Sequence, residues 1–71
     1  MDRNIELEHL RKADATIAAA LRRLERQTSL VAQLKKSGHD AATAASVLQT
    51  MHDTLAVMRQ HRQMIKKEIE N

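Results

Sequence analysis

A single glycine, Gly38, interrupts an otherwise continuous supply of helix-forming residues, and the chain has no proline at all. Glycine and proline are the residues that most readily stop a helix. A chain with one stopping point is expected to form two helices and little else. Ala, Leu, Met, Gln, Glu, Lys and Arg dominate both halves, and all favour the helical state. The residues around Gly38 have the chemistry of a corner. Glycine takes up the left-handed backbone that commonly ends a helix. Lys35 and Lys36 precede it, where the helix dipole favours cations. Asp40 follows as an N-cap whose carboxylate can accept from the N–H groups of Ala42 or Thr43. The expected elements are helix one over about 3–36, a turn at 37–40 and helix two over about 41–70. So short a connection makes the two helices antiparallel neighbours.

Apolar periodicity supports the same division. In the first half Leu7, Leu10, Ile17, Leu21, Leu24 and Val31 recur at steps of three and four, with Asp14 and Thr28 as polar members and Ala13, Ala20 and Leu34 widening the face. In the second half the row is Ala44, Leu48, Met51, Leu55, Met58, Arg62, Ile65 and Ile69. Rows of this length and spacing specify long helices packed in a coiled-coil-like manner. Folding the chain at Gly38 pairs Val31 with Leu48, Thr28 with Met51, Leu24 with Leu55, Leu21 with Met58 and Leu10 with Ile69. The charged misfits Asp14 and Arg62 then fall in adjacent layers. They are expected to form an ion pair at the edge of the seam, which selects register more than it adds stability.

Size bears on how such a hairpin stays folded. A chain of 71 residues without cysteine, Phe, Tyr or Trp has no disulfide to staple it and no large rings to fill a core. Small scaffolds in that position commonly gain burial by oligomerising. A second row on helix two shows where: Thr43, Val47, Thr50, Thr54, Val57, His61 and Met64 also follow the helical period, beside the first row. On helix one Ile5, Ala19 and Leu30 are scattered among charges. An isolated hairpin would leave the second row of helix two wet. The expected fold is therefore an all-α, antiparallel two-helix hairpin that dimerises into a four-helix bundle, with Val47, Thr50, Thr54, Val57, His61 and Met64 at the interface.

Chemistry-bearing residues are sparse. His9, His39, His52 and His61 lack partners at chelating spacing, so no metal site is expected. Ser29, Ser37 and Ser46 have no evident base with an orienting acid, and no glycine-rich loop exists to cradle phosphate. The expectation is no enzyme activity, no catalytic residue and no cofactor. The net charge of +3 is concentrated in residues 1–37, where eight Lys and Arg face five acids. Arg22, Arg23 and Arg26 form the densest basic cluster and are the candidate contacts to a nucleic-acid backbone. Without aromatic residues for base stacking, nucleic acid ranks well below a protein partner. No segment is long and apolar enough to cross a bilayer, and the N-terminus "MDRNIELEHLRK" has no apolar signal core. A cytoplasmic protein is expected.

The order of elements over about residues 9 to 70 resembles small helical proteins of alphaproteobacteria. The likeness lies in "RRLERQ", the corner "SGHD" with Gly38, His39 and Asp40, the segment "VLQTM", and "MRQHR" with His61 and Arg62. That resemblance implies a helical hairpin with a Gly-His-Asp turn and no particular activity. In architecture the chain is also similar to Rop-type hairpin dimers, which bind RNA on one helical face. The likeness to them implies a nucleic-acid alternative using the basic face of helix one. The leading expectation is an interaction or oligomerisation module, with a regulatory role open to it and its protein partner unspecified.

Overall fold

The chain reverses direction once, at Gly38. The computed structural model describes residues 3–70, which form α1, Arg3–Lys36, and α2, Ala42–Glu70, packed against each other. Gly38 has φ of 76°, the left-handed conformation. Its N–H donates to Lys35 O at 3.2 Å, and His39 N–H donates to Leu34 O at 2.9 Å. This pair of bonds is the Schellman closure of a helix C-terminus. A methyl group added at Gly38 would meet nothing within 4 Å, so backbone conformation, not crowding, demands glycine. On the far side of the turn Asp40 Oδ1 accepts from Ala42 N–H at 2.9 Å, satisfying one of the free donors that open α2.

Two ties cross between the helices and show their antiparallel course. Arg62 Nε donates to Asp14 Oδ1, joining the end of α2 to the beginning of α1. Gln27 Nε2 donates to Ala44 O at 2.9 Å near the turn.

Burial identifies the residues of the seam. Ala41 just before α2, and Ala44, Leu48, Met51, Leu55, Met58, Arg62, Ile65 and Ile69 on it, are all buried or half-buried, at the alternating steps of a packed helix. On α1 the central row is Glu6, Leu10, Ala13, Ile17, Ala20, Leu24, Gln27, Val31 and Leu34. This differs by one position from a row through Asp14, Leu21 and Thr28. Asp14 and Thr28 are exposed, and Leu21 is half-buried at the edge. Thr28 does not face Met51; its hydroxyl donates back to Leu24 O at 2.8 Å. The neighbouring Gln27 turns inward instead and reaches the α2 backbone.

The resulting core is thin. Leu55, at 5 % exposure, is its best-covered side chain, and among the described residues none is fully enclosed. The hairpin measures 54 × 15 × 13 Å with a radius of gyration of 16.4 Å, against about 11 Å for a compact chain of this length. It exposes 5547 Å² to solvent. A compact 8.1 kDa monomer exposes roughly 4,500 Å², leaving about 1,000 Å² in excess.

Candidate functional site

The second row of α2 faces solvent. Thr43, Val47, Thr50, Thr54, Val57, His61 and Met64 are all exposed, with Val57 at 63 % and Met64 at 64 %. No formal charge falls in this row. Its threonines are less polar than their names suggest. Thr54 Oγ1 donates to Thr50 O at 2.9 Å, and Thr50 Oγ1 donates to Ser46 O at 3.2 Å. With the protons of these two hydroxyls committed to the preceding turn, the row has few donors to offer and presents mainly methyl groups, valines, a methionine and His61.

α1 contributes to the same flank. Ile5, Ala19 and Leu30, scattered when read along the chain, belong to one row with His9, Lys12, Thr16, Arg23 and Arg26 at steps of three and four. Three clefts show that this row and the α2 row line one side of the hairpin. Ala20 and Arg23 share the first with Val47, Thr50, Met51, Thr54 and Met58. His9, Lys12, Ala13 and Thr16 share the second with Met58 and His61. Glu6 and His9 share the third with His61, Met64, Ile65 and Glu68. Together they trace a groove along the hairpin, floored by the seam and walled by the two rows. The sequence held the clue in the common spacing of Ile5, Ala19 and Leu30, but only the packed pair turns two rows into a face.

Glu6 is the unexpected member of this region. It is 9 % exposed and lies 3.8 Å from His9 Nδ1. Its position four residues before Leu10 places it on the seam, a signal present in the spacing and masked by its charge. His9 and His61 line two clefts in common. Among the described residues no group of three or more His, Cys, Asp or Glu is placed to hold a metal ion.

Arg22, Arg23 and Arg26 are all exposed, but they do not form one compact patch. Successive helical residues are about 100° apart, so Arg23 turns toward the groove while Arg22 points away from it. Glu25 lies between the latter and Arg26. At the turn, Ser37 and His39 approach within 2.8 Å, Oγ to Nδ1. Ser37 Oγ also donates to Gln33 O at 2.9 Å. A hydroxyl has one proton to give. With that proton on Gln33 O, His39 in its Nδ1–H tautomer donates to Ser37 Oγ; in the other tautomer the hydroxyl donates to Nδ1.

No helix among the described residues is long and apolar enough to cross a membrane. No protein-family model, curated protein or solved structure matches the chain. The functional reading therefore rests on the flank itself.

Proposed function

We propose that this protein is a self-associating interaction module, whose working unit is two hairpins packed flank to flank as a four-helix bundle. The observation that carries this reading is the uncharged, exposed row of α2 on a hairpin with about 1,000 Å² of surface beyond that of a compact monomer. A standard specific interface covers about 800 Å² on each partner, so one such contact absorbs the excess. Val47, Thr50, Thr54, Val57, His61 and Met64 are the contact residues. Apolar burial drives the association, and the thin intrachain core gives the single hairpin little stability of its own.

Mass measurement by sedimentation equilibrium at tens of micromolar tests the reading. The expected result is a dimer whose affinity changes little with salt. A monomer under those conditions overturns it. Nucleic-acid binding that weakens steeply with salt and disappears when Arg22, Arg23 and Arg26 are replaced would move the function to the basic face of α1.

A further inference from the structure

The flank also carries information about how two copies meet; this inference rests on the self-association proposed above. Two hairpins docked flank to flank have two symmetric choices. A two-fold axis across the hairpin sets α1 on the partner's α1, with the turns at opposite ends. A two-fold axis along the hairpin sets α1 on the partner's α2, with both turns at the same end.

Charge separates the choices. The α1 row contains Lys12, Arg23 and Arg26, whereas the α2 row has no formal charge from Thr43 to Met64. The first arrangement lays the cationic row against its own reversed copy, and like charges across a closing interface oppose docking. The second lays it against uncharged side chains. The axis along the hairpin also preserves height, so residues that share a cleft within one hairpin mark the partner residues they would meet. Arg23 shares a cleft with Thr50 and Thr54, so Arg23 stands near the height of Asp53. Asp53 is exposed, and Gln49 Nε2 occupies one of its oxygens at 3.1 Å. The carboxylate retains acceptor sites for a guanidinium from the partner.

We infer that the partner is a second copy docked with its turn at the same end, so that each α2 row seats on the partner's α1 row.

The chain has no cysteine, so engineered thiols report contacts without background. Ala19→Cys and Thr54→Cys variants should be made separately, checked for wild-type helical content, and oxidised alone and as an equimolar mixture. The expected product is a disulfide between the two variants, with little disulfide in either alone. A disulfide within Ala19→Cys alone, within Thr54→Cys alone, or none in any sample although the mass is dimeric overturns this docking and leaves self-association standing. A monomeric wild type overturns both. As a second readout, Asp53→Arg should weaken association several-fold, and combining it with Arg23→Asp should restore it; failure of that rescue would also count against this docking.

Discussion

Replacing Val57 with aspartate tests the flank at its centre. Val57 is 63 % exposed in the hairpin, so nearly two-thirds of its apolar gain is still available to an interface. Fully burying a valine side chain stabilises by about 1.5–3 kcal/mol, and the exposed share corresponds to about 1–2 kcal/mol. A symmetric dimer loses that twice, or about 2–4 kcal/mol, roughly a 30- to 700-fold rise in Kd at about 1.4 kcal/mol per tenfold. The new carboxylate must also be desolvated, which pushes the loss further. Within the hairpin the change is mild, because valine and aspartate have similar helix propensity and the site is exposed. Sedimentation velocity across a concentration series reads the association, and far-ultraviolet circular dichroism reads the helix. Val57→Asp should be monomeric, with its helical content reduced only as far as the lost dimer supports it. Ala56→Asp is the control: Ala56 is exposed next door but a helical step round, off the flank. If Val57→Asp keeps the wild-type mass, or if Ala56→Asp dissociates equally, the flank is not the interface and the reasoning fails.

Leu55→Ala removes the best-covered side chain of the seam and should cost about 2–5 kcal/mol in urea denaturation; a loss below about 1 kcal/mol would mean the intrachain seam is not the stabilising contact. Gly38→Ala should cost about 1–2 kcal/mol because of its positive φ, and Gly38→Asn less; equal losses for the two would point to crowding, not conformation. Asp40→Ala should cost about 0.5–2 kcal/mol by removing the acceptor for Ala42 N–H, measured by thermal unfolding. A double-mutant cycle on Asp14 and Arg62 should give a coupling below about 1 kcal/mol that shrinks with added salt, since both side chains are at least a third exposed. A larger, salt-insensitive coupling would show a dry ion pair.

The amino-acid sequence by itself determined that there are two long helices, and why they stop where they do. One glycine, two lysines before it and an aspartate after it carry enough local chemistry to define a corner without help from the rest of the chain. It also marked the α2 seam, because of the two adjacent rows there the one through Leu48, Met51, Leu55, Met58, Ile65 and Ile69 is the more apolar. On α1 the period left two adjacent rows open. Ala13, Ala20 and Gln27 run beside Asp14, Leu21 and Thr28, and alanine is small enough to serve on either side of a boundary. Spacing could not choose between them. The choice belongs to the tertiary structure: the approach of α2 draws Gln27 to the carbonyl of Ala44 and leaves Thr28 bonded to its own helix. The same approach explains why Glu6 is covered despite its charge, and why Ile5, Ala19 and Leu30 join a face instead of lying scattered. A helix dictates which residues share a stripe, but only a second helix lying alongside dictates which stripe is inside and which two stripes become one surface.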